Sequence, residues 1–272
     1  MDSPDSPDSP RGAAVTADGL GLEGPRGWAF RDVTFSAAPG SLTAIEGPSG
    51  SGRTCLLLAL TGRMRPTEGE ASAGGLRLPR RAAAVRRIAG LGPVPGVSEL
   101  DPALTVAEHL RERALLQRRF DGSLRTLLRP RRERAATART LIDGALEAAG
   151  LDLSALPKAE RTSVRDLERL EALRLSVALA LTGRPRLLAV DDTDLKLSDA
   201  ERATAWELLR SLAADGTTVL AVCSQAPEDA VTVRTGSTGA ADPTDIDGEP
   251  APPAAPVHEE GTADAFAGTG HA

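Results

Sequence analysis

The stretch AIEGPSGSGRTCLLLAL, residues 44 to 60, constrains this chain more than any other. A short branched strand runs into a glycine-rich turn and then into an apolar helix. Residues 47 to 54 fit G-x-x-x-x-G-K-[ST] at every fixed position except the lysine, where Arg53 stands. Glycines let the backbone curl so that successive N–H groups point at one anion. A helix beginning near Arg53 adds its N-terminal partial positive charge. Gly47, Pro48, Ser49, Gly50, Ser51, Gly52, Arg53 and Thr54 are therefore candidate phosphate contacts, and the Thr54 hydroxyl is a candidate Mg²⁺ ligand. The alternative is a Gly/Ser-rich turn that merely joins strand to helix. Arginine is not a neutral exchange for lysine, because its wide planar fork replaces a compact charge on a thin stem. It still binds phosphate, so weakened rather than abolished binding is expected.

A second acidic feature lies downstream. RPRLLAVDD ends a buried strand with Asp191 and Asp192. A carboxylate at the C-terminal end of a strand faces the crevice where ligands sit in open α/β sheets. Asp191 is the candidate metal ligand, and Asp192 is the candidate catalytic group that orients water. The alternative for Asp192 is an acidic turn capping the next element. Strand-like runs at 42–46, 186–190 and 217–222 alternate with the helix-like TCLLLALTGRM and DAERATAWELLRSLAADG. That alternation implies an α/β fold with a parallel sheet. Residues from roughly 100 to 183 read as entirely helical, an insertion into the sheet domain.

Composition narrows the function further. Aromatics are only 2% of the 272 residues, so Leu, Val and Ala must build the core. Two cysteines, Cys55 and Cys223, and a single histidine outside the tail, His109, make a zinc site or a Ser-His-Asp site improbable. The cysteines read as buried thiols and His109 as a surface helix residue. No apolar run reaches the ~18 residues of a membrane span, so direct membrane insertion is not expected. The start, MDSPDSPDSPRG, is unlike a signal peptide. Residues 1–14 and 236–272 read as disordered acidic segments flanking one domain at 15–235; the tail has seven acids and no Lys or Arg. Residues 111 to 139 hold ten Arg against three acids. A solvated face explains them better than nucleic-acid binding, because Phe120 is the only aromatic there. The acidic tail covering this strip is a further alternative.

Taken together, these stretches resemble an ATP-binding cassette (ABC) transporter nucleotide-binding domain. FRDVTFSAAPGSLTAIEGPSGSGRT is similar to its opening strands and phosphate loop. LTVAEHL is similar to the start of its helical subdomain, here about 95–183. VALALTGRPRLLAVDD and the segment through VLAV resemble its second half. The resemblance implies a P-loop NTPase-like parallel sheet core with an inserted all-helical subdomain, ATP and Mg²⁺ as cofactors, and a cytoplasmic location peripheral to the inner membrane face. It also implies two partners, a membrane-spanning transporter subunit and a second nucleotide-binding domain.

The family's functional residues map unevenly. Its second loop hydroxyl falls on Cys55, its sensing glutamine near Gly92 or Pro93, and its signature L-S-G-G-Q on Leu167-Glu168-Arg169-Leu170-Glu171. Its general base falls on Asp192, one methylene short, and its switch histidine on Ser224. The adenine-stacking aromatic is expected near Gly24, with Trp28 close by but equally placed to be core. LERLE reads as a helix-forming segment, which would set Glu168 and Glu171 near a partner's triphosphate. After Gln225 only AVTVRTG can be placed before the tail. The expectation is an ATP-binding subunit with hydrolysis weak or absent; the alternative is a non-enzymatic scaffold or regulatory partner of a membrane protein.

Overall fold

LLAV at 187–190 and TVLAVC at 218–223 carry no exposed residue, the mark of strands covered on both faces. In the computed structural model, which describes residues 11–120, 131–194 and 196–235, they form the centre of a parallel sheet. The strands in chain order are β1 (Val15–Gly24), β2 (Gly27–Ala37), β3 (Leu42–Glu46), β4 (Glu68–Ala73), β5 (Leu76–Leu78), β6 (Ala89–Leu91), β7 (Leu187–Val190), β8 (Thr218–Cys223) and β9 (Val231–Arg234). The parallel sheet has the order β6-β7-β8-β3-β9, and a second, antiparallel sheet has the order β2-β1-β4-β5. The helices are α1 (Arg53–Leu60), α2 (Ala82–Ile88), α3 (Val106–Phe120), α4 (Arg131–Ala148), α5 (Arg169–Leu181) and α6 (Asp199–Ala214). All described residues fall within one compact unit. Of the segments read as disordered, 1–14 and 236–272, residues 1–10 and 236–272 lie outside the described residues, whereas 11–14 are described.

Alternation along the parallel strands splits the core in two. Ile45, Leu187, Ala189, Leu220 and Val222 face α1 and the antiparallel sheet. Ala44, Leu188, Val190, Val219 and Ala221 face α5 and α6, where Leu175, Trp206 and Leu209 are buried. Because side chains alternate with a period of two, each strand supplies both layers and its register is fixed by both. Residues 11–14 are tied to the parallel sheet: Ala13 N donates to Arg186 O at 3.0 Å and to Thr218 Oγ1 at 3.1 Å.

Two sequence expectations change here. The region from 100 to 183 is not helical throughout; short 3-10 turns at 153–155, 159–161 and 164–166 connect α4 to α5. The LERLE segment expected to be helical joins a helix only at Arg169, because Leu167 (ψ 141°) and Glu168 (ψ 161°) are extended. Val164 and Leu167 turn instead to pack on the second core layer. His109, expected on the surface, is 7% exposed, and its Nε2 accepts from Asp101 N at 3.1 Å. It closes the turn at the start of the helical insertion.

Candidate functional site

All five parallel strands point their C-terminal ends at one edge. That edge gathers Gly92 after β6, Asp191 after β7, Ser224 after β8, Gly47 after β3 and Thr235 after β9. The loop Gly47–Gly52 leaves β3 and delivers α1. Gly50 (φ 83°) and Gly52 (φ 78°) take the left-handed conformation that the turn demands. Ser51 N donates to Pro48 O at 3.2 Å, closing the curl. A Cβ on Gly52 would lie 2.0 Å from Ala29 O, whereas one on Gly50 would meet nothing within 4 Å. One glycine thus permits close backbone packing behind the loop, and the other leaves open space in front.

The starts of α1, α5 and α6 differ in a way that bears on anion binding. The first amides of any α-helix have no partner within the helix. At α1 no side chain caps them and no acid lies in the first turn. At α6, Ser198 and Glu201 form a capping box, with Glu201 N donating to Ser198 Oγ at 3.3 Å. At α5, Glu168 N donates to Glu171 Oε2 at 2.8 Å, with acid in the first turn. Of these three, only α1 is left open to an external anion.

Across the crevice, Thr54 Oγ1 donates to Asp191 Oδ2 at 2.7 Å, joining the two sequence motifs over 137 residues. Asp191 Oδ1 accepts from Asp192 N at 3.0 Å. Asp191 is 1% exposed, and burial pushes its carboxyl above the ordinary carboxylate range. The Thr54 hydroxyl opposes that shift, the Asp192 charge adds to it, and Asp192 N and Arg53 oppose it. A hydroxyl and a carboxylate on neighbouring elements are the hard oxygen donors that Mg²⁺ takes from protein while keeping water and phosphate for the rest of its shell. No cluster of three or more His, Cys, Asp or Glu able to hold a metal exists among the described residues. The donors therefore fit Mg²⁺ brought with a polyphosphate better than a metal caged by protein alone.

Arg53 departs from the lysine pattern in direction as well as shape. Its Nη1 donates to the carbonyl of Cys223 at 2.5 Å, so the guanidinium spans to the end of β8 instead of lying along the loop. Burial first, then Asp194 and Glu46, push the neighbouring Cys223 thiol up to about 12, with Arg53 opposing. Cys55, half-buried in α1, is also raised, by burial and then by Asp191. Neither thiol is primed as a nucleophile.

The remaining sequence candidates are less well assembled. Asp192 is left-handed (φ 48°), with its amide turned to Asp191. Ser224, in the switch position, donates through N and Oγ to Asp194 Oδ2, which also accepts from Gln225 N. Gly92 N donates to Ala189 O, and Pro93 O accepts from Asp191 N. Trp28 carries the Arg31 guanidinium over its ring at 4.5 Å from the centroid. Sequence reasoning missed Thr235: its Oγ1 lies 2.7 Å from Ser51 Oγ, and its N donates to Glu46 O at 3.0 Å. It holds the loop from 184 residues away, and no local signal in the sequence marks it.

The ABC transporter family model matches residues 30–194. Nod factor export ATP-binding protein I of Paraburkholderia xenovorans is 34% identical over 188 residues, covering 69% of this chain and 55% of that protein. Its counterpart in Bradyrhizobium diazoefficiens is 31% identical over 189 residues, with 70% and 55% covered. The chain thus spans about half the length of the curated relatives it matches. Among solved structures, a dimeric ATP-binding cassette in a post-hydrolysis state, bound to ADP and Pi, aligns with a TM-score of 0.59 at 23% identity, covering 78% of this chain and 88% of that one. A bacterial Atm1-family ABC exporter with ATP bound aligns at 0.59 and 21% identity, over 83% of this chain and 37% of that one. At such identities the solved structures speak to fold alone.

Proposed function

The chain belongs to the ABC transporter family, and from that premise we propose that it is the ATP-binding subunit of a transport system that binds Mg-ATP and hydrolyses it slowly or not at all. The observation that carries the reading is the Thr54–Asp191 hydrogen bond, which puts the loop and the metal strand within one ion's reach. In this reading the backbone amides from Gly47 to Thr54, together with Cys55 at the start of α1, surround the phosphates. Thr54 and Asp191 hold the metal. The Mg²⁺ supplies charge neutralisation on the phosphate oxygens when bound.

Weak turnover is supported by three features of this chain. The Arg53 guanidinium is committed to Cys223 O, Ser224 is committed to Asp194, and Asp192 is shorter than a glutamate. The acid-capped start of α5 adds a fourth, because Glu168 and Glu171 would repel a triphosphate brought to that helix end. Isothermal titration of the purified chain with Mg-ATP tests the binding, and phosphate release tests the turnover. Arg53→Lys is expected to tighten Mg-ATP binding about tenfold, one charge-assisted hydrogen bond's worth. Phosphate release in that variant is expected to stay low, since nothing at Asp192 or Ser224 is restored. Unchanged affinity in Arg53→Lys would mean that position 53 does not face the nucleotide.

A second reading has one observation in its favour. The Arg53–Cys223 bond also braces the strand–helix turn without any ligand, as a non-enzymatic scaffold or regulatory partner would need. A melting temperature indifferent to Mg-ATP would select that reading. Under either, the partners are a membrane-spanning subunit and a second nucleotide-binding domain, with the chain held at the inner membrane face from the cytoplasm. No helix among the described residues is long and apolar enough to cross a membrane; in this reading the membrane contact runs through the partner.

A further inference from the structure

Of residues 47–54, only Ser51 is buried, at 4% exposure, and its hydroxyl is committed to a residue far along the chain. Its Oγ lies 2.7 Å from Oγ1 of Thr235, itself 2% exposed. Thr235 follows β9 and grips the loop twice. Its N donates to Glu46 O at 3.0 Å, and its Oγ1 also donates to that carbonyl, at a long 3.5 Å. Glu46 is the last residue of β3, and Ser51 precedes Gly52, the N-cap of α1. One residue thus spans the entry and the exit of the loop. The fit is tight: a Cβ on Gly47 would lie 2.5 Å from both Ser51 Oγ and Thr235 Oγ1. Gly47, Ser51 and Thr235 fill one closely packed corner.

The rest of β9 is lightly held. It lies at the edge of the parallel sheet and, among the described residues, pairs with β3 alone. Three of its four residues are exposed, and only Val233 joins the core. Arg234 pairs with Glu46 at 3.2 Å, but its side chain is 81% exposed, and an ion pair so open to water contributes little. A short edge strand with few buried contacts opens at low free-energy cost. The Thr235 corner therefore ties β9 to the sheet and braces the phosphate loop at once.

We propose that Thr235 is a positioning residue for the nucleotide site, coupling the docking of β9 to the shape of the phosphate loop. With β9 docked, Gly47 and Ser51 are fixed and the loop keeps its curl before the ligand arrives. With β9 released, the loop loses its anchor at both ends, and ordering it on binding lowers affinity. Linkage makes the effect mutual. Mg-ATP on the loop holds β9 on the sheet by the same factor by which docked β9 tightens Mg-ATP. The proposal rests on the Mg-ATP reading above and adds a regulation of that site: whatever peels β9 from the sheet edge weakens nucleotide binding without touching the nucleotide.

Hydrogen exchange across residues 231–235 of the full chain, with and without Mg-ATP, and isothermal titration of variants test it together. The β9 amides are expected to exchange several-fold more slowly at saturating Mg-ATP. Thr235→Val keeps the shape and removes the hydroxyl. Its Mg-ATP affinity is expected to fall about three- to tenfold, one hydrogen bond's worth, and Thr235→Ser is expected to retain wild-type affinity. The double variant Ser51→Ala, Thr235→Val is expected to lose no more than either single one, because both remove the same bond. Val85→Ala, at a buried position in α2, is expected to melt lower with affinity unchanged, which separates positioning from general stability. Where Thr235→Val does not fold, Ser51→Ala carries the same expected loss. Wild-type binding with Thr235→Val unchanged, additive losses in the double variant, or β9 exchange indifferent to bound Mg-ATP would overturn this proposal and leave the Mg-ATP reading standing. A wild-type chain that binds no Mg-ATP would remove that reading and this proposal with it.

Discussion

Asp191→Asn is expected to make the metal-free protein more stable while abolishing the stabilisation that Mg²⁺ adds to ATP binding. Asp191 is 1% exposed, and burial disfavours its charged form. Asparagine removes the charge and keeps both hydrogen bonds. Its Oδ1 accepts from Asp192 N, and its Nδ2 donates to a Thr54 hydroxyl that turns to accept. A gain of about 1 kcal/mol corresponds to a melting temperature ~2–4 °C higher for a domain of this size.

The pH dependence follows from the sign of the shift. A carboxyl raised in the fold takes up a proton more readily folded than unfolded. The wild type therefore gains stability as pH falls through the raised folded value, and the gain is complete below the ordinary carboxylate value. The advantage of Asp191→Asn is thus greatest at neutral pH and shrinks on acidification. The functional loss is larger, because the amide carries no charge for the metal. At ATP a hundredfold above its dissociation constant, wild type gains about 2.7 kcal/mol, and most of the Mg²⁺-dependent part of that is expected to vanish. Thermal melts with ATP in Mg²⁺ and in EDTA measure both effects. A metal-free Asp191→Asn that melts lower than wild type would show that the Asp191 charge is compensated in the fold.

Gly52→Ala is expected to be the most damaging single methyl in the loop. The added Cβ would lie 2.0 Å from Ala29 O and 2.6 Å from Ala29 C, both backbone atoms of β2 that cannot rotate away. The φ of 78° adds strain of about 1–3 kcal/mol for any residue with a Cβ. Relief requires parting α1 from the antiparallel sheet, so a total cost of about 4 kcal/mol or more is expected. Gly50→Ala separates the two contributions. Its φ of 83° imposes similar strain, but its Cβ meets nothing within 4 Å. Gly50→Ala should therefore fold with a modest drop in melting temperature, and Gly52→Ala should fall by ~10 °C or more. Similar melting of the two variants would mean that the loop and β2 are not in close contact.

The parts of the fold legible from sequence were those whose signal is local. β3, β7 and β8 announce themselves as short apolar branched runs, and α6 as the helix-like run DAERATAWELLRSLAADG with acids at its start and a Gly just past its end. β1 and β4 were not picked out. β1 pairs antiparallel with β2 and with β4, and its register shifts between Ala17 and Leu20 against β2 and between Asp18 and Gly21 against β4, so alternation along β1 is interrupted. The start of α5 was misplaced because helix propensity in LERLE yields to packing of Leu167 and to the cap at Glu168. At the site, the meeting of Thr54 with Asp191 was foreseeable, because strand ends in a parallel sheet share one edge. The destination of the Arg53 guanidinium and the grip of Thr235 on Ser51 were not, since each depends on a partner 170 or more residues away.

Isothermal titration of the wild-type chain with ATP, with and without Mg²⁺, tests most directly whether the loop and Asp191 form one nucleotide site. The expected result is a single-site isotherm in Mg²⁺ that weakens markedly in EDTA and in Asp191→Asn. No heat at millimolar ATP, or a wild-type isotherm indifferent to the metal, would contradict it.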